Sequence, residues 1–128
     1  MKYSGHFLTI TGIIHTLIGL VLGWPIIVDM HNAGWFSSTV IDGQMMFDRE
    51  AISWFLFAGL FWVIFGLTLQ SAIAQGFNPP KSLGWGFVVI GIIVAIIMPA
   101  SGAYLFIIQG AILVFGHHRF KQQATQLA

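Results

Sequence analysis

The chain has 128 residues, enough for one domain, yet only nine are charged (5 Lys or Arg and 4 Asp or Glu), against 57% hydrophobic residues. A solvated globular surface draws about a quarter of its residues from the charged set, so this composition excludes a fully water-exposed domain and points to lipid where charge is missing. The absence of cysteine excludes disulfides, thiol catalysis and thiolate metal sites; a formal net charge of +1 by itself says little about partners, and no nucleic-acid partner is expected.

Residues 3–28, 51–80 and 82–118 contain no Asp, Glu, Lys or Arg. Within them lie four predominantly apolar segments, roughly 4–28, 51–74, 80–98 and 102–115. Each nears or approaches the roughly 20 residues a helix needs to cross the hydrocarbon core. The expected fold is an all-α membrane protein, one domain over residues 1–128, with four transmembrane helices in an up-down bundle. Lys2 precedes an apolar run too long for a signal-peptide core of about 7–15 residues. No small-x-small cleavage site follows Trp24-Pro25, so the run is read as a retained first span.

Small residues recur in that span at Gly5, Thr9, Gly12, Thr16, Gly19 and Gly23, one stripe down the helix. In lipid, helices associate by close backbone approach over such stripes. The stripe predicts either packing against the chain's own helices or a homodimer through the Gly/Thr face. The first span ends near Trp24-Pro25 or a turn later, since proline interrupts the helical hydrogen bonds. The following connection, residues 29–48, is longer than most helix-to-helix loops. It carries Trp35, Phe36, Val40, Ile41, Met45 and Phe47, which predicts a short interfacial helix or packed flap, lying on the outer leaflet or capping the bundle. Asp48 is a plausible N-cap for the second span, and Glu50 suits the positive end of its dipole. Asn78-Pro79-Pro80 breaks the chain before the third span. Met98-Pro99-Ala100-Ser101-Gly102 reads as a tight hairpin. The last apolar run is short, so its helix must continue through His117 and Arg119 toward Phe120.

All four acidic residues, Asp29, Asp42, Asp48 and Glu50, fall in the first connection with Arg49. Lys2, Lys81, Arg119 and Lys121 lie at the N-terminus, the second connection and the C-terminal tail. The positive-inside rule therefore places both termini in the cytoplasm and the longer first connection outside. Trp24, Trp54 and Tyr104 become outer aromatic anchors, and Tyr3 and Trp85 inner ones.

His15 is the ionisable residue expected nearest the bilayer midplane. It lies ten residues, or about 15 Å of helix, beyond Gly5, and about 40–60° around the helix from Gly12 and Gly19. Ionisable groups at that depth are functional-site candidates by default; the alternative is a neutral imidazole that serves packing alone. Gln109 is the other strongly polar side chain within the hydrocarbon, and a hydrogen bond across helices from His15 to Gln109 or to a backbone carbonyl is expected. Glu50, Trp54, Ser101 and Tyr104 are candidates for the outer mouth of a cavity, and Trp54, Phe57 and Phe61 for its aromatic lining. His6, His117 and His118 share the inner side, and His31 with Met30, Met45 and Met46 forms a soft-ligand set in the outer connection. Interfacial histidines and a mobile apolar flap account for these equally well, and no metal site is assigned.

Three runs, Gly12-Ile-Ile-His15-Thr16, Arg49-Glu50-Ala51-Ile52-Ser53-Trp54-Phe55 and Met98-Pro99-Ala100-Ser101-Gly102, together resemble an uncharacterised bacterial family of small four-helix inner-membrane proteins, over nearly the whole chain. The resemblance implies a multi-pass protein of the bacterial inner (cytoplasmic) membrane. It directs attention to His15, Glu50, Trp54, Phe55, Pro99, Ser101 and Gly102, and supplies no activity or cofactor. Three functions stay open: binding or moving a small lipophilic ligand or proton near His15; an enzyme or haem protein acting on a lipid or quinone; and an accessory subunit of a larger membrane complex. A lone deep histidine is a poor catalytic constellation, and bis-histidine haem ligation would require a dimer.

Overall fold

The computed structural model describes residues 2–126, with side chains as far as Gly116. Five helices account for most of it: α1 (Ser4–Leu22), α2 (Trp24–Asn32), α3 (Phe47–Ala74), α4 (Lys81–Ile97) and α5 (Tyr104–Gln126). A two-residue hairpin, β1 (Val40–Ile41) and β2 (Gln44–Met45), lies between α2 and α3. The protein is therefore all-helical apart from that hairpin. Two helices, α1 with 19 residues and α3 with 28, are long and apolar enough to cross a membrane; α4 and residues 104–116 of α5 are apolar but shorter.

The first apolar segment forms two helices where the sequence suggests one. Pro25 sits in the first turn of α2 with Gly23 as its N-cap, and proline has no N–H to give to the carbonyl four residues back. The chain nevertheless stays helical to Asn32, four residues beyond the expected limit. α3 also begins earlier than expected, at Phe47, so Asp48 is not the N-cap but stands with Glu50 inside the first turn. There both carboxylates face the positive end of the helix dipole. α3 ends in a glycine cap: Gly76 has φ 89°, its N–H bonds the Ile73 carbonyl at 3.0 Å, and the Phe77 N–H bonds the Ala72 carbonyl at 2.9 Å. This is the reciprocal pattern that satisfies the last carbonyls of a helix. α5 extends well past its apolar part, to Gln126.

The chain divides into two compact units, Met1–Thr9 with Phe65–Ala128, and Ile10–Ile64. In the second, α1 and α3 meet backbone to backbone. Gly12 and Gly19 are buried; a Cβ on Gly12 would lie 2.8 Å from the Gly59 carbonyl oxygen and from the Val63 nitrogen, and one on Gly19 would lie 2.7 Å from the Phe55 ring. The small-residue stripe is thus occupied by α3 of the same chain, the close approach that such stripes permit. Thr16 returns its hydroxyl to the Gly12 carbonyl at 2.9 Å, so the stripe's polar atoms are satisfied within the helix.

The connection after α2 is built from turns. Gly34, Trp35 and Ser37 have φ of 84°, 66° and 54°, and Asp42-Gly43 has 50° and 76°. Two consecutive positive φ values make the two-residue turn whose twist matches antiparallel strands, and Val40 pairs with Met45 across it. Arg49 anchors the connection to α3: the residue is only 9% exposed and its guanidinium donates to the Ser38 carbonyl at 2.7 Å.

In the other unit the start of α1, the end of α3, α4 and α5 enclose Leu8, Leu69, Ala103, Phe106, Leu113 and Val114, all buried. Gly84 and Gly110 let α4 and α5 approach until a Cβ on Gly84 would be 2.9 Å from the Gly110 carbonyl. Phe65, Phe87 and Phe106 stack in sequence with centroids 6.2 and 5.8 Å apart. The turn before α5 closes through the Ser101 N–H to the Met98 carbonyl at 2.9 Å, the hairpin expected from Pro99 and Gly102.

Candidate functional site

His15 rests in a cradle made by three residues of α3. Phe55, Gly59 and Trp62 fall at i, i+4 and i+7, one stripe of a 3.6-residue helix. The imidazole stacks on the Phe55 ring with centroids 3.7 Å apart and planes 16° from parallel, and the Trp62 ring meets it at 4.4 Å and 51°. Gly59 forms the floor, where a Cβ would approach the histidine Cδ2 to 3.1 Å. His15 Nε2 lies 3.0 Å from the Phe55 carbonyl oxygen. A carbonyl only accepts, so Nε2 carries the hydrogen and donates. In the neutral ring the other nitrogen, Nδ1, then keeps a lone pair, and it bonds no other described residue. The ring is half-buried: its plane and tautomer are set from one side, and its acceptor is left available.

The aromatic partners differ from those the sequence suggests. Trp54, Phe57 and Phe61 are 65%, 52% and 63% exposed and lie off the face that α1 approaches; Trp54 and Phe57 pack edge to face on each other at 6.2 Å. The signal for the right face was present. Gly59 and Gly66 mark where α3 admits another backbone, and Phe55 and Trp62 share that stripe.

Gln109 is fully buried and takes a partner other than the expected histidine. Its Nε2 donates to the Ser4 hydroxyl at 2.8 Å, while Oε1 is buried with no hydrogen bond. Ser4 is itself 1% exposed, so this is a polar contact sealed inside the first unit. Gln70, which no motif or spacing singles out, caps α1 from α3. Its Oε1 accepts the His6 backbone N–H at 3.3 Å and its Nε2 donates to the Lys2 carbonyl at 3.0 Å. First-turn N–H groups lack helical partners, and a glutamine on a packed neighbour supplies one.

Glu50 is half-buried and Trp54 exposed, both on the first two turns of α3. Ser101 Oγ accepts the Ala103 N–H at 3.4 Å, a local turn bond, and Tyr104 is exposed at the start of α5. His31 Nδ1 accepts the Trp35 indole N–H at 2.9 Å, which spends one of its two nitrogens, and Met30 is buried while Met45 is exposed. The side chains of His117 and His118 lie outside the described residues. Among the described residues no three His, Asp or Glu side chains converge as metal ligands.

Residues 1–120 match a family described as one of unknown function, DUF6463. The chain belongs to that family. No curated protein and no solved structure matches it. The match spans α1 through most of α5, so the His15 cradle of this DUF6463 protein lies wholly inside the part that defines membership.

Proposed function

We propose that this DUF6463 protein is a four-span integral membrane protein of the bacterial inner membrane, with both termini in the cytoplasm, and that it holds a small lipophilic molecule at His15. The membrane reading is supported by the charge-free runs and by the outward faces of the helices. Ile10, Leu17 and Val21 on α1, Phe61 and Ile64 on α3 and Ile96 on α4 are all exposed. Only 28% of the apolar window of α1 and 17% of that of α3 is buried, where a core helix of a water-soluble protein is mostly covered. Lipid is the solvent that removes the cost of such surfaces. The orientation is supported by the segregation of the basic residues.

The single observation that carries the ligand reading is the asymmetry of His15. Its Nε2–H is committed to the Phe55 carbonyl and its ring to Phe55 and Trp62. The lone pair on Nδ1 then suits a molecule that brings a hydroxyl or N–H donor on an apolar or aromatic body. Aromatic walls with one placed polar atom are the usual make-up of a small-molecule site. Glu50 and Trp54, at the start of α3, belong in this reading to its outer end. Native mass spectrometry of the protein extracted from its own membrane tests the proposal: a bound lipophile should be present on the natural chain and lost from His15→Leu.

A further inference from the structure

The connection between α2 and α3 ends in an aromatic tip that the protein itself leaves uncovered. Phe36 is 93% exposed and Trp35 54%. This is not a slack loop. The Trp35 N–H bonds the Met30 carbonyl at 3.1 Å, the Phe36 N–H the Gly34 carbonyl at 2.7 Å and the Ser38 N–H the Trp35 carbonyl at 3.2 Å. Trp35 and Ser37 hold left-handed backbone, a conformation side chains rarely adopt and one that a locally bonded turn can impose. The indole N–H of Trp35, the one polar atom of the two side chains, is already taken by His31 Nδ1 at 2.9 Å. The two side chains can therefore leave water without stranding a donor.

We infer that Trp35 and Phe36 form an anchor that enters the headgroup–acyl boundary of the outer leaflet. The inference rests on the membrane reading above: both ends of residues 23–46 then join membrane-crossing helices, so the tip stands at a bilayer surface. The occupant follows from charge. Asp29, Asp42 and Asp48 are exposed, while Arg49, the one Lys or Arg among residues 23–50, is turned inward onto the Ser38 carbonyl. The segment thus lacks the basic face by which amphipathic elements select anionic lipid. Insertion is apolar, without headgroup selection.

Because the chain has no cysteine, nitroxide labels can be placed singly on the full-length protein in phosphatidylcholine vesicles, at Phe36→Cys, Ser37→Cys, Asp42→Cys and Ile64→Cys. Depth is read from collisions with oxygen against those with a water-soluble nickel chelate. Labels at 36 and 37 should favour oxygen and the label at 42 nickel, unchanged when phosphatidylglycerol is added. Phe36→Asp should move the label at 37 toward nickel. Ile64, exposed on α3, should favour oxygen most. Nickel-dominated labels at 36 and 37 beside an oxygen-dominated label at 64 overturn the anchor and leave the membrane reading standing; a nickel-dominated label at 64 overturns both. Protection of the tip from both reagents with spin–spin broadening assigns it to a second copy and overturns the lipid assignment. Depth that grows with phosphatidylglycerol overturns the charge argument for its occupant.

Discussion

One residue of α3 fixes His15 twice: Phe55 gives the imidazole a ring to stack on at 3.7 Å and a carbonyl to bond at 3.0 Å. The first contact sets the plane of the ring and the second sets which nitrogen carries the hydrogen. A side chain with so little freedom left is prearranged for a partner, because the entropy of ordering it has been spent in folding.

The tautomer is directly measurable. With histidine labelled in both nitrogens, His15 in the folded protein should show the Nε2–H form, with Nδ1 as the unprotonated acceptor. An Nδ1–H ring would reverse the donor and acceptor roles assigned here and require a ligand that accepts.

Gly59→Ala tests the floor of the cradle. The added methyl meets Thr16 Oγ1 and the histidine ring, so α1 and α3 must separate. Overpacking of this kind costs typically about 1–3 kcal/mol. Gly12→Leu should be at least as damaging, whereas Leu17→Ala, at an exposed position, should fall within about 0.5 kcal/mol. Thermal unfolding in detergent ranks them; equal midpoints for Gly12→Leu and Leu17→Ala would show that the stripe does not hold the helices.

Much of this architecture can be read from sequence because charge and small-residue periodicity follow simple rules. Charge-free runs mark the apolar helices, and the Gly/Thr periodicity marks the face of α1 that meets another backbone. Less accessible was which side of α3 answers it, since Trp54, Phe57 and Phe61 are as aromatic as Phe55 and Trp62; only the phase set by Gly59 and Gly66 separates them. The hairpin at Asp42-Gly43 did carry a local signal, an Asp-Gly pair between apolar residues, which the overall apolar character of the connection obscures. The partners of Gln109 and Gln70 are not encoded locally at all. Ser4 is 105 positions from Gln109 and Lys2 is 68 from Gln70, so those bonds appear only once the chain is folded.

Gln70→Leu should release the first turn of α1 while leaving the apolar packing of α3 intact. Two hydrogen bonds are lost, at about 1 kcal/mol each. Hydrogen exchange should accelerate at the His6 amide, with little change near Gly12. Unchanged exchange at His6 would mean that the cap contributes nothing to holding the end of the helix.

Orientation follows from charge and is checked by accessibility. Cysteines placed singly at Asp42, exposed at the hairpin turn, and at Gln75 and Gln123 should react with an impermeant thiol reagent in intact cells only at Asp42. Labelling of the other two and not the first would invert the topology.

The central claim is that His15 serves a ligand and not packing alone, and one comparison addresses it most directly: native mass spectrometry of the natural chain and of His15→Leu, each extracted from its own membrane, alongside their thermal unfolding. His15→Leu removes the acceptor at Nδ1 while keeping apolar bulk against Phe55 and Trp62. The account predicts a folded, membrane-inserted variant with an unfolding midpoint close to that of the natural chain and no bound molecule, where the natural chain carries one. A well-folded His15→Leu protein that retains the bound molecule would contradict it.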